Sequence, residues 1–168
     1  RWGKTLVTSV KHLWYNFYKI GVTGDPKEIA IKRCGTLNLS PHSNQCKAAF
    51  DYILDILFSR FVWNKDGKSF TNKCVIGDFY ISDNEQKRTI IFKNGTFYKS
   101  VPTGEDQASS VAGSPFLYIS YDECAQSLHL REELPAKIMS RTIDFGAPID
   151  LISTPEVDKP SHQYFMHI

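Results

Sequence analysis

Gly3, Lys4 and Thr5 match the last three positions of the pattern G-x-x-x-x-G-K-[ST]. In that pattern backbone N–H groups wrap a phosphate chain, the lysine reaches the β and γ phosphates, and the hydroxyl residue holds Mg²⁺. The pattern's opening glycine would lie before Arg1, so the chain reads as beginning inside such a loop. Further on, the apolar run Phe116-Leu117-Tyr118-Ile119-Ser120-Tyr121 leads directly into Asp122 and Glu123. Two adjacent acids at a strand's carboxyl end suit nucleotide hydrolysis, because such ends converge on the ligand crevice of open α/β sheets. The first acid can hold Mg²⁺ through its water shell, and the second can orient or deprotonate an attacking water. The same pair also fits the start of a surface helix, where negative charge is favourable. A third place is Ser153-Thr154-Pro155. Its hydroxyls can hydrogen-bond the γ-phosphate region or Glu123, or simply form a polar turn stopped by proline.

Elements must carry these residues to one place. From Thr5 onward, Leu6, Val10, Leu13, Trp14 and Phe17 recur at three- and four-residue steps, predicting an amphipathic helix that buries them. Gly21 and Gly24-Asp25-Pro26 mark its end. A helix starting directly after Gly-Lys-Thr is what phosphate binding requires, since its free N–H groups and positive dipole end point at the anion. Thr36-Leu37-Asn38-Leu39-Ser40 is a strand candidate closed by Pro41. Ser43 is then the predicted cap of a second helix, with Cys46, Ala49, Phe50, Ile53, Leu54, Leu57 and Phe61 on its buried face. The polar stretch from Asn64 to Lys68 reads as a surface connection. Strands Thr89–Lys93 and Thr96–Lys99 flank Asn94-Gly95, predicting a hairpin whose two turn residues both take positive φ. Thr103 to Gly113 reads as a loop, and Leu128 to Met139 as a third helix before the strand Ile149–Ile152. Strands alternating with helices, without an internal repeat, predict an α/β layered sheet with mostly parallel strands.

At 168 residues and 42% hydrophobic content the chain can bury the core of one domain and has no room for two. A net charge of +2 excludes a strongly basic nucleic-acid coat, and no cationic run exceeds Lys32-Arg33 and Lys87-Arg88. Any DNA contact must therefore be local. Cys34, Cys46, Cys74 and Cys124 are widely spaced, which fits reduced thiols better than a zinc knuckle or a disulfide framework. His42 and His129 lack a second ligand at metal spacing and read as surface residues. Trp63, Phe79 and Tyr80 read as core aromatics. Charge interrupts every apolar stretch well short of the roughly 20 residues that a spanning helix needs, so no membrane partner is expected.

Taken in order, these motifs resemble the ATPase part of a tailed-phage terminase large subunit, the motor that packages DNA into proheads. Arg1-Trp2-Gly3-Lys4-Thr5 resembles the family's Walker A, and Thr36 to Pro41 with Asn44-Gln45 resembles the strand and helix start that follow. Pro102 to Gln107 and Ala112-Gly113 look like the segment before Walker B. Tyr118 to Glu123 resembles Walker B with its glutamate, and Leu151 to Pro155 the coupling motif. Where the family's Walker-B strand is apolar up to the aspartate, Ser120 and Tyr121 stand here.

The resemblance implies a three-layer P-loop NTPase fold of the RecA/ASCE kind, with a mostly parallel sheet, a β-hairpin insertion and the first strand missing. Residues 1–168 are then a partial P-loop ATPase domain that begins inside Walker A, without the carboxy-terminal nuclease. The implied activity is hydrolysis of ATP with Mg²⁺, coupled to translocation of double-stranded viral DNA. Gly3, Lys4, Thr5, Ser153 and Thr154 would contact the nucleotide, Thr5 and Asp122 would hold Mg²⁺, and Glu123 would activate water. Arg1 is the implied arginine finger in cis, with Arg131 and Arg141 as alternatives across a ring interface. Implied partners are the portal protein, the small terminase subunit and further copies in a ring, in the host cytoplasm and transiently on the prohead. A chain lacking its first strand is expected to hydrolyse little by itself. Two other readings stay open from sequence: a helicase-like P-loop ATPase, and a non-catalytic DNA-binding or assembly protein.

Overall fold

A computed structural model describes residues 2–19, 34–58, 80–103, 114–127, 138–139, 142 and 146–154. Helix α1 (Trp2–Trp14) runs into a π-helical turn over Tyr15–Lys19, and β1 (Gly35–Ser40) leads to α2 (Ser43–Leu57). Strands β2 (Tyr80–Asn84), β3 (Thr89–Phe92) and β4 (Phe97–Pro102) follow, then β5 (Phe116–Asp122) and β6 (Ile149–Ile152). They form one sheet in the order β2-β3-β4-β1-β5-β6. β4, β1, β5 and β6 are parallel, whereas β2 and β3 run antiparallel at one edge. The mixed α/β class and the mostly parallel sheet are as the sequence predicts.

Both faces of the centre are covered, and every residue of β1 is buried. On one face Leu37, Leu39, Val101, Ile119 and Tyr121 form a core with Cys124 and Ile138. On the other, Phe50, Ile53, Leu54 and Leu57 of α2 and Leu13 of α1 pack on Ile90, Phe92 and Tyr98. The predicted face of α2 is thus the buried one at every described position. Gly35 starts β1 where a Cβ would come within 2.2 Å of the Phe97 carbonyl oxygen, so a larger residue would push β1 off β4. The described cysteines Cys34, Cys46 and Cys124 are buried and form no disulfide.

Four expectations change. The face of α1 that packs on the sheet is not the apolar one: Leu6, Val10 and Trp14 are 42%, 51% and 48% exposed, while Thr8, Ser9, His12 and Asn16 are buried beside Leu13. The cause lies in the sheet, which presents Thr36, Asn38 and Ser120 beneath the helix and satisfies polar groups better than apolar ones. Ser43 does not cap α2; His42 stands at that position in extended conformation, and Ser43 Oγ accepts a hydrogen bond of 2.6 Å from Arg88. The β3–β4 turn has only Gly95 at positive φ, because Phe92 bonds both Gly95 and Thr96 across a longer loop. Nor is the hairpin an insertion beside the sheet: β4 also pairs in parallel with β1, which makes it a central strand. Phe61, Trp63, Cys74, Phe79, His129, Arg1, Arg131, Arg141, Pro155, the 64–68 connection, most of the 103–113 loop and nearly all of the third helix lie outside the described residues.

Candidate active site

A parallel sheet puts the carboxyl ends of its strands on one side, and the candidate residues gather there. Gly3, Lys4 and Thr5 occupy the first turn of α1, the end at which free N–H groups accumulate. Lys4 Nζ lies 3.4 Å from Glu123 Oε1 and donates to Thr154 Oγ1 at 3.2 Å. The lysine, the acidic tip of β5 and the hydroxyl tip of β6 therefore meet, although 119 and 150 residues separate them from Lys4.

Glu123 is held from both sides. Its Oε2 accepts the Thr154 N–H at 3.1 Å and the Ser153 hydroxyl at 3.4 Å. Ser153 Oγ in turn accepts the Ala125 N–H at 3.2 Å, fixing the hydroxyl between the two strand tips. Glu123 itself sits in the left-handed region, φ 51° and ψ 38°. That conformation costs a non-glycine residue about 1–2 kcal/mol. It turns the chain sharply at the end of β5, and the Glu123 N–H closes onto Asp122 Oδ1 at 3.0 Å.

Asp122 is partly buried. Burial pushes its carboxyl above the usual carboxylate range, the neighbouring Glu123 charge adds to this, and the Lys4 ammonium opposes it. Asp122 and Thr5 line the same small cavity, together with Thr8, Ser9, His12, Asn38, Ala49 and Tyr98. Their carboxylate and hydroxyl are oxygen donors, the kind a hard cation such as Mg²⁺ accepts alongside phosphate oxygens. Among the described residues no three His, Cys, Asp or Glu side chains gather into a cage. Mg²⁺ bound mainly through phosphates needs none.

Beneath this rim lies a buried polar chain that the motif reading did not single out. His12 Nε2 is 2.8 Å from Ser120 Oγ, Ser120 donates to Asn38 Oδ1 at 2.8 Å, and Asn38 Nδ2 donates to Ser100 Oγ at 2.9 Å. A sequence signal existed: Thr8, His12 and Asn16 recur every four residues, and Thr36, Asn38 and Ser40 alternate along β1. The His12 ring also lies between Tyr98 and Tyr118, with ring centroids 5.0 and 4.7 Å away. At the helix's flank Lys11 bonds Asp150 at 2.5 Å, and Asp150 accepts the Tyr118 hydroxyl at 2.8 Å.

Solved structures agree with this architecture. The ATPase domain of the Thermus phage P74-26 large terminase superposes with a TM-score of 0.65 at 11% sequence identity. An arginine-to-alanine variant of that domain gives 0.65 at 12%. In both cases the match covers 98% of this chain. The chain shares the fold of a phage large-terminase ATPase domain. It spans 60% of the length of the solved terminase chains. No protein-family model matches the sequence, and comparison with curated proteins gives no match.

Proposed function

We propose that this chain binds and hydrolyses ATP as part of a terminase large subunit, the motor that drives double-stranded viral DNA into the prohead. One observation carries the reading: Lys4 Nζ lies within 3.4 Å of Glu123 and 3.2 Å of Thr154, so three separated motifs share one end of the sheet. The terminase fold supports it independently.

The roles follow from the chemistry of each group. Gly3, Lys4 and Thr5 present the amino end of α1 to the phosphates, and the ammonium of Lys4 pairs with them in place of Glu123. Thr5 and Asp122 would hold Mg²⁺, which would neutralise charge on the phosphate oxygens. Glu123, released from Lys4, keeps its tie to Thr154 and orients the attacking water as general base. Ser153 and Thr154 bond that same carboxylate, so a change at the γ-phosphate reaches β6 through two hydrogen bonds. This is the coupling step of the proposed motor. Arg1 serves as the finger in cis. Coupled translocation brings the remaining proposed partners: the portal protein, the small terminase subunit and further copies of the chain in a ring, assembling in the host cytoplasm and docking on the prohead.

The test is Mg²⁺-dependent ATP turnover by purified protein extended upstream of Arg1 so that the phosphate loop is whole. Lys4→Ala removes nucleotide binding, and unchanged ATP affinity would count against the phosphate role. Glu123→Gln keeps binding but lowers turnover by a factor of about 10² or more, the scale of general-base catalysis. Near-normal turnover in that variant removes Glu123 as the base. No turnover in the unaltered protein favours a non-catalytic assembly protein.

A further inference from the structure

Helix α1 breaks the usual rule for a helix on a sheet. It exposes Leu6, Val7, Val10 and Trp14 and, with the π-helical turn that continues it, buries Thr8, Ser9, His12 and Asn16, the last four at 8%, 2%, 1% and 0% exposure. The sheet matches it. Parallel strands covered on both faces are ordinarily near-continuous apolar runs, yet Thr36 and Asn38 of β1, Ser100 of β4 and Ser120 of β5 are polar and at most 2% exposed.

These groups bond in a defined order. Asn16 Nδ2 donates to Thr36 Oγ1 at 2.8 Å, anchoring the far end of the helix to β1. Ser120 gives its single hydrogen to Asn38 Oδ1, so toward His12 it can only accept. His12 therefore carries its proton on Nε2, and Asn38 passes the direction on to Ser100. Burial lowers the His12 pKa to about 3, so the ring stays neutral and the order persists across the physiological range.

The position of this chain matters more than its strength. His12 lies two turns along the helix that begins with Lys4 and Thr5, and Ser120 lies two residues before Asp122 on the same side of β5. At the rim, Lys4 and Glu123 touch across a partly exposed gap of 3.4 Å, whereas His12 and Ser120 join the same two elements in the buried interior at 2.8 Å. Apolar packing there would hold the helix equally well but allow it to slide. Directional bonds between fixed partners select a single register.

We propose that His12, Ser120, Asn38 and Ser100 are positioning residues, a buried ladder that sets the register of the helix bearing Lys4 and Thr5 against the strand bearing Asp122 and Glu123. The inference rests on the proposed ATPase and names the residues that tune its geometry without touching nucleotide. A misplacement of about 1 Å can cost 10²-fold in rate, so register is worth controlling.

The experiment compares His12→Leu, His12→Gln and Ser120→Ala with the unaltered protein, each extended upstream of Arg1 so that the phosphate loop is whole, at a temperature where thermal unfolding shows all four folded. The readouts are kcat for Mg-ATP and the Mg²⁺ concentration for half-maximal turnover. His12→Leu fills the space without a donor, while the glutamine amide supplies an N–H where Nε2 stood. Expected are a fall in kcat of about tenfold or more and a raised Mg²⁺ requirement in His12→Leu and Ser120→Ala, with His12→Gln within about threefold of the parent. If His12→Leu does not fold, Ser120→Ala carries the same comparison. A lowered melting temperature with unchanged kcat and Mg²⁺ requirement would overturn the positioning role and leave the ATPase standing. Absence of turnover in the parent would bring down both.

Discussion

His12 shows how far a surrounding can override a side chain's habits. An imidazole free in water titrates near 6.5, but burial between two tyrosines, on the side of α1 that meets the sheet, lowers it to about 3. The unfolded chain accepts a proton that the folded chain refuses, so the contribution of His12 to stability is complete above 6.5. It is lost as pH falls from there toward 3, with a slope approaching about 1.4 kcal/mol per pH unit. Asp122 works in the opposite sense, because its raised carboxyl makes the folded state hold a proton more firmly and stability then declines as pH rises above the ordinary carboxylate range. Comparison with His12→Gln separates the two. Between pH 7 and pH 5, urea unfolding of the unaltered protein is expected to lose about 2 kcal/mol more than the variant. Parallel pH profiles would show that the ring is not held neutral in the fold.

For the elements, α1 and α2 make a contrast. In α2, apolar periodicity and tertiary contact agree, and Cys46, Ala49, Phe50, Ile53, Leu54 and Leu57 are buried as their spacing predicts. In α1 the same periodicity marks a real apolar stripe, but the stripe does not identify the docking side, because that choice depends on Asn38 and Ser120, which lie far along the chain. Local pattern carries the existence of the helix and not its rotation. Substitutions read that rotation directly. Leu13→Ala removes a buried side chain and is expected to cost about 2–4 kcal/mol, whereas Val10→Ser, at a position 51% exposed, should stay within about 0.5 kcal/mol. Equal costs in chemical denaturation would mean that the helix is turned the other way.

Across the whole molecule, the candidate site was more legible than the sheet. Lys4, Asp122, Glu123, Ser153 and Thr154 sit at a helix start and at strand ends, and parallel topology brings such ends together whatever the order of strands. The order itself is non-local. Nothing in Thr96 to Lys99 announces that this arm of a hairpin also lies in parallel beside β1, and β2, with the polar sequence Ser82-Asp83-Asn84, carries no strand alternation. The buried ladder was hidden for a related reason: serines and asparagines usually signal turns, and only their partners across the sheet show that here they are interior.

The buried thiols turn this architecture into its own clock. Burial foremost pushes Cys46 and Cys124 up to about 11, so each is almost wholly un-ionised at neutral pH and inert to alkylating reagents until the chain around it opens. Cys46 is inside α2, while Cys124 follows Glu123 directly. Pulsed iodoacetamide labelling read by mass spectrometry should modify Cys46 only in whole-molecule openings, and saturating Mg-ATP should slow the labelling of Cys124 more than that of Cys46. Equal slowing at both would show that nucleotide braces the entire sheet rather than the strand tip. A reagent that never enters the candidate site would thus time how often that tip comes loose.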